Sequence, residues 1–220
     1  MRPLVVCDLD GTLVDSRQDL AQATNRLIAD YGGSPLDQDT VVRLVGDGAG
    51  QLVARAFRAA GLPGSPSDAL PRFLEIYAGG LLDHTEAYAG VPDALEALSR
   101  IASLAVLTNK PRILSERILE GLRLARFFET VLGGDGPHAR KPSPDGLRRL
   151  MNDGGAGAAD TLLVGDSIVD LRTSRAAGVP LALVRYGFGF RDIPVGELMG
   201  RESVVNAPED LVALVGEHRF

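Results

Sequence analysis

Short apolar runs bounded by Asp, Gly or Pro recur along the chain at Leu4 to Cys7, Leu104 to Leu107, Val131 to Leu132, Leu162 to Val164 and Leu181 to Val184. Runs this brief, with no polar residue alternating through them, predict strands buried on both faces. Helical spacing fills the later intervals: Ile113, Ile118, Leu119 and Leu122 after the second run, Leu147, Leu150 and Met151 before the fourth, and Leu171, Ala176 and Ala177 after it. Strands alternating with helices predict an α/β fold, a doubly wound parallel sheet covered by helices on both faces.

The interval between the first and second strands breaks that rhythm, because it is long and helical throughout. It predicts a separate helical unit over residues 16–85, inserted after the first strand of a core made of residues 1–15 and 86–220. Its first helix is expected to start at Ser16, where Ser16 and Asp19 approximate a capping box, and to carry Leu20, Thr24, Leu27, Ile28 and Tyr31 on one face. Gly32 and Gly33 end it. Further helices are expected from Gln38 to Leu44, Ala49 to Ala60 and Ser67 to Leu82, divided by Gly46 to Gly48 and by Gly61 to Pro66. The chain returns through Tyr88, Gly90 and Pro92 to a helix bearing Leu95, Leu98 and Ile101, and one last short helix is expected from Pro208 to Val215.

Composition narrows the function classes. With 45% hydrophobic and 24% charged residues, the 220-residue chain can bury a substantial core, which excludes a disordered or fibrous protein. A net charge of −6 removes the basic field that binds nucleic acid or anionic lipid, so neither is an expected partner. The single cysteine, Cys7, lies inside an apolar run and reads as a buried, inert thiol. The apolar stretch before Asp8 is too short for a signal peptide core and no run is long enough to span a bilayer, so a cytoplasmic enzyme is expected, as monomer or homodimer.

Candidate chemistry sits at the strand ends, where open parallel sheets bind ligands. The first strand runs into Asp8-Leu9-Asp10-Gly11-Thr12, the second into Thr108-Asn109-Lys110, and the fourth into Gly165-Asp166-Ser167 with Asp170 following; Lys141-Pro142 precedes another helix. Asp8, Asp10 and Asp166 are expected on one rim, where carboxylates repel one another unless a cation joins them. Oxygen ligands with open positions suit Mg²⁺. Zinc is disfavoured, since His84, His138 and His218 show no ligand spacing.

Those segments, in that order, resemble the four motifs of the haloacid dehalogenase superfamily: Asp8 to Ser16, Thr108-Asn109-Lys110, Lys141-Pro142 and Val164 to Asp170. The resemblance implies a Rossmann-like core with a small helical cap, and a Mg²⁺-dependent phosphatase acting on a small phosphorylated metabolite. It implies that Asp8 is the nucleophile, forming an aspartyl-phosphate, and a metal ligand. Asp10 is then the general acid and base and binds metal through its backbone carbonyl, and Asp166 completes the metal carboxylates. Gly11, Thr108, Asn109 and Lys141 are expected to hold the phosphate, with Asp170 and Ser167 supporting them.

Within the superfamily, Val45-Gly46-Asp47-Gly48-Ala49, Thr108 to Pro111, Gly133-Gly134-Asp135, Lys141 to Asp145 and Tyr186 to Gly189 are similar to phosphoglycolate phosphatases. This implies hydrolysis of 2-phosphoglycolate to glycolate and phosphate. Arg43, Gly46, Asp47 and Gly48 are the candidate specificity residues, with Arg17 and Arg112 as further cations for a substrate carboxylate. The alternatives are a broad phosphatase of sugar phosphates, nucleotides or pyrophosphate, a β-phosphoglucomutase-like mutase, which usually carries a basic residue beyond the cap glycine, and an inactive phospholigand-binding domain.

Overall fold

The computed structural model describes residues 2–64 and 67–217. Ser65 and Pro66, where a helix boundary was expected, and His218 lie outside the described residues.

The chain enters the sheet through β1 (Leu4–Cys7), leaves it through a two-residue strand β2 (Val14–Asp15), and then forms α1 (Arg17–Asp30), α2 (Gln38–Arg43), α3 (Ala49–Ala59) and α4 (Ala69–Gly79). It returns by β3 (Glu86–Ala87), which pairs antiparallel with β2, so the exit and re-entry of the helical unit form one short ribbon. The remainder alternates: α5 (Val91–Ile101), β4 (Ser103–Leu107), α6 (Arg112–Gly121), β5 (Thr130–Leu132), α7 (Asp145–Gly154), β6 (Thr161–Gly165), α8 (Ile168–Ala177), β7 (Leu181–Val184), β8 (Ser203–Val205) and α9 (Pro208–Gly216).

Six strands make one parallel sheet in the order β5-β4-β1-β6-β7-β8. The chain builds outward from β1 on one side, then crosses back and builds outward on the other, which places the reversal of strand order beside β1. Successive strand residues point to opposite faces. Val5, Cys7, Leu104, Val106, Leu162 and Val164 accordingly pack with α5, α6 and α9, and their neighbours Leu4, Val6, Ala105, Leu107 and Leu163 pack with α7 and α8. Cys7 is buried, and the low dielectric around it pushes its thiol up to about 12, so it stays protonated.

The ribbon and the edge strand β8 escape a reading by apolar runs. Each is too short to show a period, and Val204 of β8 faces solvent. The capping box expected at Ser16 does not form. Ser16 Oγ instead donates to Asp10 Oδ1 at 2.5 Å. Buried Asp19 accepts from Thr85 N at 2.8 Å, Thr85 Oγ1 at 2.6 Å and His84 N at 3.1 Å. A carboxylate that can take three donors from the returning chain gains more there than from one fraying amide of its own helix. Among the described residues no helix is long and apolar enough to cross a membrane.

Candidate active site

Cys7 of β1 lies level with Val106 of β4 and Val164 of β6, so Asp8, Thr108 and Asp166 emerge together at the carboxyl rim of three adjacent strands. The amide of Asp8 still donates to Val164 O at 2.9 Å, which carries the register one residue past the strand and fixes where its side chain begins. Lys141, buried, places Nζ 2.9 Å from Asp8 Oδ1 and 2.7 Å from Asp170 Oδ1. Asp170 has a second duty: with Ser167 it forms the capping box of α8, accepting Ser167 Oγ at 2.6 Å and Ser167 N at 3.1 Å. The helix start therefore locks the carboxylate that orients the lysine.

Asp8, Asp166 and Asp170 each offer an oxygen within 4.8 Å of the others. Burial, followed by the charges of Asp170 and Asp8, holds the Asp166 carboxyl well above the usual carboxylate range. Burial also pushes Asp8 up to about 6, although the neighbouring Lys141 ammonium pulls the other way. Desolvation opposes charge on Lys141 too, but the paired carboxylates outweigh it and its pKa rises.

Asp10 stands apart from this trio. Its side chain takes Lys110 Nζ at 2.7 Å on both oxygens and Ser16 Oγ on one, and Lys110 Nζ in turn lies 4.8 Å from the centre of the Tyr77 ring of α4. The three side chains expected around one ion were Asp8, Asp10 and Asp166; the clustered trio has Asp170 in the place of Asp10, because Lys110 draws the Asp10 carboxylate away. Gly11, next to Asp10 in the chain, lies against Asp166 at φ +84, where a Cβ would run into the Asp166 carboxylate. Asp166 is further held by the amide of Gly189, which donates to Oδ2 at 2.7 Å. Sequence reasoning had flagged the Tyr186 to Gly189 segment but assigned it no role, and it had passed over Lys110.

The helical unit meets the rim through Asn109. Its side-chain Nδ2 donates to Gly46 O at 2.9 Å and to Lys141 O at 2.8 Å, so both amide hydrogens are committed to the protein, not held free for a phosphate as expected. The Thr108 hydroxyl accepts from Lys110 N at 3.2 Å and keeps its own hydrogen for a ligand. Asp47 pairs with Arg55 of α3, within the helical unit. Arg43 is exposed and bonded to the Thr40 hydroxyl, Arg17 pairs with Asp15, and Arg112 reaches Glu116 at 3.3 Å. A cleft of about 230 Å³ opens between the two parts, reaching Asp8, Asp10, Thr108, Lys110 and Asp166 on the core side and Arg43, Gly46 to Gly48 and Tyr77 on the helical side.

Comparison with known proteins accords with this geometry. The family model for haloacid dehalogenase-like hydrolases matches residues 5–184, which contain Asp8, Asp10, Thr108, Lys141, Asp166 and Asp170. The chain belongs to the haloacid dehalogenase-like hydrolases. It is 45% identical to a phosphoglycolate phosphatase of Rhodospirillum rubrum over 197 residues, covering 86% of this chain and 81% of that protein. A plasmid-borne phosphoglycolate phosphatase of Cupriavidus necator is 38% identical over 219 residues, covering 98% and 94%. The crystal structure of a predicted phosphoglycolate phosphatase from Haemophilus somnus 129PT superposes with a TM-score of 0.88 at 28% identity, over 97% of each chain. The chain is thus an enzyme of the phosphoglycolate phosphatase-like kind, a phosphoric monoester hydrolase.

The hydrolase's rim fits a divalent cation on its own chemistry. Three buried carboxylates face a single lysine in contact with two of them, a net negative charge that the interior does not tolerate unaided. Asp8 Oδ1 is buried and, though close to Lys141, receives no aligned hydrogen bond. The donor set is oxygen throughout, which suits a hard cation better than zinc or copper.

Proposed function

We propose that this hydrolase converts 2-phosphoglycolate to glycolate and phosphate, using Mg²⁺ and a phosphoaspartate formed on Asp8. The observation that carries the reading is the Lys141 bridge between Asp8 and Asp170 at the sheet rim, with Asp10 held separately by Ser16 and Lys110. The two carboxylates are held by different partners, so they are set apart for different tasks, with Asp10 free of the Lys141 bridge.

Asp8 and Asp166, with the backbone carbonyl of Asp10, would hold the Mg²⁺ ion. When bound, Mg²⁺ supplies positive charge against the phosphate dianion. Lys141 supplies the rest: at ~4 Å a unit charge pair is worth roughly 4 kcal/mol at an effective dielectric of 20, about a thousandfold in rate. An Asp8 carboxylate oxygen forms a bond to phosphorus as the bond from phosphorus to the glycolate oxygen breaks, and Asp10 gives its proton to that oxygen. Water then attacks phosphorus, Asp10 takes a proton from it, and the bond from Asp8 to phosphorus breaks. The Thr108 hydroxyl donates to a phosphate oxygen, and Gly11, with no side chain, lets the backbone approach the phosphate.

We further assign residues 16–85 to a cap that excludes water, with Asn109 clasping its Gly46 loop. The test is kcat/KM for 2-phosphoglycolate, glucose 6-phosphate, AMP and pyrophosphate, with and without EDTA. A preference for 2-phosphoglycolate that EDTA abolishes supports the reading; a flat profile, or activity indifferent to EDTA, refutes it.

A further inference from the structure

We propose that Lys110 and Tyr77 form the subsite for a carboxylate placed one methylene from the phosphate ester, and so make the cleft selective for α-carboxylated small phosphates. The inference rests on the reaction assigned above and supplies what that assignment lacks, a group that recognises the leaving part of the substrate.

In 2-phosphoglycolate a single methylene joins the ester oxygen to the carboxylate. Whichever residue protonates the ester oxygen must therefore stand next to whatever binds the carboxylate. Asp10 is the proton donor in the scheme, and the cation bonded to Asp10 is Lys110, whose Nζ lies 2.7 Å from both carboxylate oxygens. The Lys110 side chain is 5% exposed and lines the cleft, so its charge acts in a low dielectric where a single ion contact counts heavily.

The other cations lining the cleft are less well placed. Arg43 is exposed and held by Thr40, and Arg55 is partly exposed and engaged by Asp47 inside the helical unit. Neither touches a group of the reaction scheme.

A second, independent observation points to a ligand at the same place. Tyr77 is 2% exposed, lines the cleft with its ring 4.8 Å from Lys110 Nζ, and its hydroxyl, close to that ammonium, donates its own hydrogen to no acceptor. A buried hydroxyl without an acceptor costs free energy unless something arrives to accept its proton. A substrate carboxylate between Lys110 and Tyr77 would take one hydrogen bond from each. Lys110 comes from the core and Tyr77 from α4, so this subsite is complete only when the helical unit lies over the rim.

The experiment compares kcat/KM for 2-phosphoglycolate and for ethyl phosphate, which lacks the carboxylate, in the wild type and in Lys110→Met, Lys110→Arg and Tyr77→Phe. The wild type should favour 2-phosphoglycolate by at least about a hundredfold. Lys110→Met should cut that preference by about thirtyfold or more, Tyr77→Phe by about tenfold, and Lys110→Arg should keep most of it. If Lys110→Met does not fold, Lys110→Gln is read in the same way. Equal losses on both substrates would mean that Lys110 only positions Asp10, and would overturn the subsite while leaving the proposed reaction intact. A wild type without preference for 2-phosphoglycolate would overturn the reaction itself and the subsite with it.

Discussion

Replacing Lys141 by Met would remove the ammonium that lies 2.9 Å from Asp8 and 2.7 Å from Asp170 and leave three neighbouring carboxylates without it. The lysine side chain is 2% exposed and that of Asp170 fully buried, so water cannot replace the lost partner. Truncating one member of a buried ion pair costs about 3–5 kcal/mol. For a chain of this size that is a fall in Tm of about 6–20 °C. The catalytic cost has a separate origin, the loss of positive charge against the transferring phosphoryl group, and should reach about a thousandfold in kcat. Adding Mg²⁺ at about a hundred times its Kd should recover close to 3 kcal/mol of the stability but not the rate, because the cation restores charge balance among the carboxylates without standing where Nζ stood. Differential scanning fluorimetry with and without Mg²⁺, paired with phosphate release, reads both. A Lys141→Met protein melting within about 2 °C of the wild type, or turning over within tenfold of it, would refute the electrostatic reasoning.

Three other substitutions probe separate parts of the structure. Burial raises Asp8 to about 6, so in EDTA the folded chain holds a proton there that the unfolded chain releases from about pH 4 upward. The stability tied to that proton is complete below about pH 4 and is lost as pH rises through about 6. Urea unfolding should then show wild type losing about 3 kcal/mol relative to Asp8→Asn across that window, and no pH dependence of the difference would contradict it. Gly11→Ala puts a Cβ into the Asp166 carboxylate at a left-handed backbone position. Its kcat should fall about a hundredfold or more through displacement of the rim, measured as phosphate release. Asp19→Ala orphans the Thr85 amide and hydroxyl and the His84 amide at the root of the helical unit. Chemical denaturation should register a loss of about 2–4 kcal/mol.

What the sequence disclosed was the part written in short range. The apolar runs gave β1, β4, β5, β6 and β7 to within a residue, and the acids that follow them had to reach the rim once the sheet was parallel. The helices of the inserted unit were legible because Gly46 to Gly48 and the Gly61 segment interrupt an otherwise helical spacing. The sixth strand and the β2–β3 ribbon were not, because two or three residues carry no period and their pairing is decided by contacts far along the chain. The same long range hid the true partners of the polar groups. Asp19 looked like a helix cap and instead anchors Thr85, while the side chain of Asn109, read only as a phosphate ligand, also ties Gly46 to Lys141. Lys110 was passed over because nothing in Thr108-Asn109-Lys110 reveals that the lysine folds back onto Asp10.

The central claim is that Asp8 carries the phosphoryl group. Rapid acid quench of the enzyme turning over 2-phosphoglycolate, followed by borohydride reduction and peptide mass spectrometry, converts a phosphorylated aspartate into homoserine. The account predicts homoserine at position 8 in the wild type and none in Asp8→Asn. Homoserine at another carboxylate, or brisk phosphate release with position 8 still aspartate, would contradict it.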